Sequence, residues 1–308
     1  MSKSFLAIVN PAAGGGRCGK LAPAAIEKLR AAGLNIEVAE TKKPGDATTL
    51  AREAYARGQR NFLAVGGDGT AHEIINGLFP AASLPASPPA SNDGRPTLGF
   101  LPLGTGNSFL RDFTDRGAEH AVEAILAGRR RPCDVLRLTH ASGELYFTNL
   151  LSMGFPADVA AVTNRRFKRF GELGYILGVF VCLARLDRRA FPVRTNGDSE
   201  FDRRRCLFLT FNNSKFTGGK MMIAPKAATD DGLIEYVRWG PIGRLGLLRN
   251  FSTLFDGTHL AHPLASHRGA KRVEFELDAP VDIMVDGEVL TLNCRHIDVL
   301  PAAIDVMV

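Results

Sequence analysis

One aspartate stands among very small residues in GGDGT, Gly66 to Thr70, where the apolar run NFLAV ends. Glycine lets a phosphate approach the backbone with no Cβ in the way, and a helix starting there offers unpaired N–H groups and the positive end of its dipole. Gly66, Gly67 and Gly69 therefore suit a sharp turn aimed at an anion, and Thr70 is placed to cap a helix starting near Ala71. Asp68 is the residue that needs a reason. A carboxylate beside phosphate-directed amides is unfavourable unless it holds Mg2+ or accepts a proton. Its alternative role is to cap the following helix.

Two more loops have this composition: NPAAGGGRCGK from Asn10, and LPLGTGNSF, which contains Gly104, Thr105 and Asn107. Neither is a Walker A loop, because GGGRCGKL carries Leu21 where that motif requires Ser or Thr. Further along, DDGLIEY pairs Asp230 with Asp231 before a glycine, a turn able to offer one carboxylate and nearby carbonyls to a hard cation. In VDGEV the pair Asp286-Gly287 is a hairpin signal, with Glu288 opening the next strand.

The elements that must position these residues follow from the hydrophobic pattern. Up to about Arg131, apolar strands (FLAIV, NIEVAET, NFLAVGG, TLGFLPLG) alternate with helical segments, which predicts a parallel sheet covered on both faces. In such sheets ligands bind at the carboxyl ends of the strands, where the glycine loops fall. After about Asp134 the pattern becomes short β-type runs, from VLRLTHA to VDIMVDGEVL, which predicts an antiparallel sheet. The boundaries expected are an α/β domain over 1–134 and a β domain over 135–299. The Pro/Ala/Ser-rich stretch 80–96 reads as a surface loop. RRFKRFGELGYILGVFVCLARLDRR reads as an apolar helix fenced by cations, with a core shorter than the roughly 20 residues of a membrane span.

Composition narrows the function. At 308 residues, 45% hydrophobic and 23% charged, the chain is expected to be soluble and two-domain. Five scattered cysteines without a C-x-x-C pair indicate neither a disulfide framework nor a zinc site and fit a reducing cytoplasm; the N-terminus reads as a strand rather than a secretion signal. A net charge of +6 calls for an anionic partner. Nucleic acid is disfavoured, because the basic triplets lack interleaved aromatics and no helix-turn-helix or zinc signature is present.

NPAAGGG, GGDGTAHEIINGL, LPLGTGNSFLRDF, MMIAPKAATDDGL and VDGEV, in that order, make the chain similar to the diacylglycerol kinase catalytic family, which includes bacterial lipid kinases, sphingosine kinases and ceramide kinases. GGDGT alone also occurs in NAD kinases and phosphofructokinases, so the later motifs carry the lipid assignment. The resemblance implies a Rossmann-like α/β nucleotide-binding domain followed by a mainly antiparallel β-sandwich, an active site in the cleft, and a tail, about 300–308, returning to the first domain. It implies ATP held by Asn10, Gly15, Thr41, Gly66, Gly67, Gly69, Thr70, Gly104, Thr105 and Asn107. It also implies Mg2+ at Asp231 with the carbonyls of Ala228 and Leu233, and a second network that includes Asp134.

The base that takes the lipid hydroxyl proton is Glu288 or Asp68; both stay open. Two departures matter: Ser108 stands where relatives often carry a carboxylate, with Asp112 near enough in sequence to compensate, and Lys220 replaces a third glycine. The implied function is transfer of the γ-phosphate of ATP to a lipid hydroxyl, of diacylglycerol or a sphingoid or ceramide-type lipid. Partners follow: the lipid, an anionic membrane surface contacted peripherally by the cation-fenced segment of a cytoplasmic protein, and room for a homodimer. The alternatives are a kinase of a soluble substrate, as in NAD kinases, and a non-catalytic nucleotide- or lipid-binding protein.

Overall fold

The computed structural model describes residues 4–79, 81–83, 94–104, 106–167, 171–218 and 220–308. Thr105, Lys168, Arg169 and most of the segment 80–96 lie outside the described residues. Contacts divide the chain into two units, Met1–Val135 with Leu300–Val308, and Leu136–Val299.

The first unit runs β1 (Ser4–Val9), α1 (Arg17–Ala31), β2 (Asn35–Glu40), α2 (Asp46–Ala56), β3 (Asn61–Gly66), α3 (Asp68–Leu78), β4 (Thr97–Pro102) and α4 (Ala118–Ala127). Its strands lie in the order β2-β1-β3-β4, all parallel, and Asp305–Met307 near the C-terminus adds alongside β4, again parallel. β1 and β3 are apolar almost throughout and buried, as strands covered on both faces must be. Cys18, Ala22, Ile26 and Leu29 fall on one face of α1 and pack on Phe5, Ala7 and Val9. This spacing fixes where each strand's C-terminal loop emerges.

The next strand, β5 (Arg131–His140), pairs over its second half with β6 (Gly143–Phe147). The second unit continues with β7 (Leu150–Gly154), α5 (Phe155–Val162), α6 (Gly171–Ala184), β8 (Val193–Thr195), β9 (Phe208–Asn212), β10 (Ile234–Trp239), α7 (Arg244–Asn250) and α8 (Thr253–Asp256). It ends with β11 (Ala265–Ala270), β12 (Arg272–Phe275), β13 (Val281–Val285), β14 (Glu288–Leu292) and β15 (Cys294–Met307), whose last residues are those beside β4. A six-stranded antiparallel sheet has the order β11-β10-β9-β7-β13-β14; β8, β12 and the first part of β15 pair in a facing layer. Between the layers lie Leu151, Met153, Leu209, Phe211, Ile234, Tyr236, Val273, Phe275 and Ile297. All five cysteines are free and buried.

Two local expectations change, and a third holds. α3 begins at Asp68 with Gly67 as N-cap, so Thr70 lies inside its first turn and caps nothing. The apolar helix expected inside the cation-fenced segment is α6, of 14 residues, and Arg165 and Arg166 lie on a π turn, Thr163–Phe167. No helix among the described residues is long and apolar enough to cross a membrane. Strands β11 and β15 are largely absent from the predicted pattern; ASHRGA has few apolar residues to mark it and is specified by pairing along β10.

Candidate active site

The loops after β1, β3 and β4 meet at one edge of the parallel sheet. Gly104 N–H donates to the Gly66 carbonyl at 2.8 Å and Asp68 N–H to the Gly106 carbonyl at 3.1 Å, tying two loops together. No side chain fits between them: a Cβ on Gly104 would lie 2.7 Å from Gly67 Cα, and one on Gly67 would lie 2.9 Å from the Gly106 carbonyl oxygen. A Cβ on Gly14 would stand 3.0 Å from the Leu103 carbonyl oxygen, which brings in the third loop. Gly15 and Gly16 have φ of 65° and 89°, a left-handed backbone that favours glycine, and nothing lies within 4 Å of the Cβ each lacks. That open face is where the residues fit a phosphate.

Asp68 holds this arrangement. Its carboxylate accepts the N–H of Ser108 at 2.8 Å and of Phe109 at 3.5 Å, so it caps the short 3-10 turn Phe109–Asp112 rather than its own helix. Asn107 Nδ2 donates to the Gly104 carbonyl at 3.2 Å. Asn10 fixes the first loop: its N–H donates to the Val65 carbonyl at 2.9 Å and its Oδ1 accepts the Ala12 N–H at 3.2 Å. Thr41 N–H donates to the Val9 carbonyl at 2.9 Å, which places Thr41 beside the end of β1; the α2 N-cap is Gly45, not Thr41. The Thr70 hydroxyl is buried with no hydrogen-bond partner among the described residues and would touch a Cβ on Gly66 at 2.3 Å.

The remaining candidates are distributed differently. Asp134 is 1% exposed and accepts the Ala302 N–H at 2.6 Å, which ties the C-terminal stretch to the first unit. In the second unit, exposed Asp231 accepts the Leu233 N–H at 2.9 Å, and burial together with neighbouring Asp230 raises its pKa above the ordinary carboxylate value. Among the described residues no group of three His, Cys, Asp or Glu is placed to hold a metal. Lys220 is exposed, and Ser108 is buried.

Asp286 and Gly287 form the two-residue turn between β13 and β14, with φ of 47° and 92°, the type I′ signature. Glu288 leaves this turn exposed. Asp286 points inward: it is 5% exposed, and its carboxylate accepts the N–H groups of Thr148, Asn149 and Leu150 at 3.3, 3.1 and 3.0 Å. Asn149 in turn accepts the Asn213 and Ser214 N–H groups and the Ser214 hydroxyl. This buried polar layer escaped the sequence reading, although the polar steps in FTNLL and FNNSK interrupt strands that are otherwise apolar and were its available signal.

A parallel α/β sheet with three glycine-rich loops at one edge, followed by an antiparallel sandwich, defines a protein of the two-domain α/β-plus-β class. The family model of the diacylglycerol kinase catalytic domain matches residues 4–138, and that of the YegS C-terminal NAD kinase beta sandwich-like domain matches residues 149–308. A diacylglycerol kinase of Mycobacterium tuberculosis (strain ATCC 25618 / H37Rv) is 28% identical over 304 residues, 98% of this chain and 94% of that protein. A Yersinia pseudotuberculosis (serotype I, strain IP32953) protein named "Probable lipid kinase YegS-like" is 32% identical over 284 residues, 91% of this chain and 89% of its own. The crystal structure of a diacylglycerol kinase from Bacillus anthracis strain Sterne shares the fold, with a TM-score of 0.71 at 23% identity over 99% of this chain and 96% of that one.

The chain belongs to the diacylglycerol kinase catalytic domain family. It is a lipid kinase, and this reading holds over that of a kinase for a soluble dinucleotide.

Proposed function

We propose that the protein transfers the γ-phosphate of ATP to the hydroxyl of a diacylglycerol or a sphingoid-type lipid, with the nucleotide phosphates on the first unit's glycine loops. The observation that carries the nucleotide assignment is the mutual fit of Gly66, Gly67 and Gly104, beside an open left-handed run at Gly15 and Gly16. Asn10, Thr41, Gly69, Thr70 and Asn107 line the same strand ends and complete the set of nucleotide contacts. Thr105 is proposed with them from the sequence. Mg2+, when bound with the nucleotide, would neutralise phosphate charge. Asp68 is the carboxylate that would hold it, since Mg2+ commonly takes one or two carboxylates and completes its shell with substrate phosphates and water. Asp134 already serves Ala302. Asp231, with the carbonyls of Ala228 and Leu233, is proposed as a separate structural cation site, because a carboxylate raised by burial and by Asp230 gains from a cation.

Phosphoryl transfer asks a protein mainly for positioning and charge neutralisation, plus one group to orient the nucleophile. Glu288 is the proposed base for the acceptor hydroxyl. It is exposed at a turn whose geometry is locked by three hydrogen bonds to Asp286. Asp68 remains the second candidate for this role. Peripheral contact with anionic membranes is assigned to the π turn and α6, where Arg165, Arg166 and Arg185 are exposed and Phe180 is 60% exposed. The oligomeric state, monomer or homodimer, is a matter for sedimentation.

Transfer of 32P from ATP to a total lipid extract, with mass spectrometry of the product, tests the reading. A phosphorylated glycerolipid or sphingolipid is expected. Label entering only soluble dinucleotides, or no label at all, would overturn it.

A further inference from the structure

We propose that the second unit carries a binding site for a phosphate group, built around the buried guanidinium of Arg238 and additional to any site for the reacting lipid hydroxyl. Strand alternation puts Arg238 on the face of β10 that sends Ile234 and Tyr236 into the sandwich core, and Arg238 is only 4% exposed. Its Nη2 donates to the Arg205 carbonyl at 2.5 Å. The carboxylate paired with it, Asp202, lies 3.7 Å from Nε and is already engaged by Arg204 at 2.9 and 2.7 Å. A guanidinium withdrawn from water with a shared, distant counter-charge is under-compensated, and an anion would complete it.

The space for that anion is present. A cleft of about 410 Å³ is lined by Arg204, Arg205 and Arg238 together with Pro263, Leu264 and Ser266. No aspartate or glutamate lines it among the described residues. A Cβ on Gly240 would lie 2.9 Å from the Leu264 carbonyl oxygen, so the glycine lets the Leu264 wall of the cleft approach, and Arg238 Nη1 stands 3.4 Å from the same point. The three arginines that line the cleft supply the positive charge and N–H donors a phosphate needs, with Arg204 also held by Asp202. Leu264, 42% exposed beside them, adds an apolar wall of the kind an acyl-bearing phosphate would use. The shared ligand chemistry is therefore the phosphate group, from free phosphate or from an acidic phospholipid.

Calorimetric titration of the full chain with inorganic phosphate and with water-soluble dihexanoyl phosphatidic acid, joined to flotation on phosphatidylcholine vesicles with and without phosphatidic acid, tests the site. Wild type is expected to bind a phosphate-bearing probe saturably, with Arg238→Gln and Arg205→Gln each weakening it about tenfold or more, as for loss of a charge-assisted hydrogen bond. Asp202→Asn removes the competing carboxylate and should tighten binding several-fold, a gain that misfolding cannot imitate. Equal affinity for both soluble probes identifies phosphate itself as the ligand, whereas binding confined to phosphatidic acid, soluble or in vesicles, identifies the lipid. Absence of saturable binding overturns the proposal. So does unchanged affinity in folded Arg205→Gln, which would assign the phosphate to the nucleotide loops of the first unit and leave the kinase reading intact.

Discussion

Asp68→Asn separates the two jobs that the geometry gives this carboxylate. In the structure it accepts the Ser108 N–H at 2.8 Å and the Phe109 N–H at 3.5 Å, so it straps the loop after β4 to the start of α3. Asparagine keeps one acceptor oxygen but turns an NH2 toward the other donor. A hydrogen bond to a charged acceptor contributes about 1.5–3 kcal/mol, and the shorter bond survives in weakened, neutral form, so the expected loss of stability is about 1–2 kcal/mol. That lowers Tm by a few degrees for a chain of this size. If Asp68 also holds Mg2+ or orients the hydroxyl, kcat falls by about 10²-fold or more on top of this. The assay pairs thermal melts with initial rates of 32P transfer at saturating ATP and lipid. A variant with the expected drop in Tm but a near wild-type kcat would refute the chemical role and leave Asp68 as a loop strap.

Glu288→Gln is expected to lower kcat with little change in KM for ATP; a large rise in that KM would move Glu288 to the nucleotide. Asp286→Asn breaks a carboxylate that accepts three buried amides and should destabilise the chain by about 2–4 kcal/mol in urea unfolding; a loss below 1 kcal/mol would contradict the anchoring role. His259, buried against the carbonyls of Thr253 and Ile223, has its pKa held below 6.5, chiefly by burial. Its neutral form is thus favoured in the fold, and the contribution is full above the unfolded value and declines as pH falls from about 6.5 toward the folded one. The urea midpoint should drop between pH 7.5 and 5.5, and less in His259→Gln; parallel drops would exclude His259. Changing Arg165 and Arg166 to Gln should weaken co-sedimentation with anionic vesicles at low salt, and equal binding by both proteins would remove the π turn from membrane contact.

The first unit was legible because its strands are buried on both faces and its helices carry one apolar face, so the two hydrophobic periods alternate in the sequence without interference. Glycine-rich stretches after three of those strands located the loops, and family motifs named the candidates. The sequence did not reveal which loop each polar side chain serves. Thr70 looked like a cap by position, yet the helix starts two residues earlier and its hydroxyl is buried over Gly66. Asp68 reads from the sequence as a carboxylate for Mg2+ or a proton, with a helix cap as its alternative role; its hold on amides some 40 residues away is a pairing that local spacing cannot encode.

The second unit was less legible for a related reason. Its strands are held by partners far along the chain, and β11 has too little apolar periodicity to declare itself until β10 lies beside it. The hairpin at Asp286-Gly287 shows both sides of the limit. The turn type could be read from two residues, since Asn-Gly and Asp-Gly favour the positive φ that type I′ requires. The work of the Asp286 carboxylate could not, because its three donors come from residues 148–150. The turn therefore places two acidic residues, one glycine apart, in opposite environments, Asp286 buried and anchored, Glu288 exposed. Those environments, which the motif alone does not encode, give anchoring to Asp286 and leave the proposed role of Glu288 to the kinetic test.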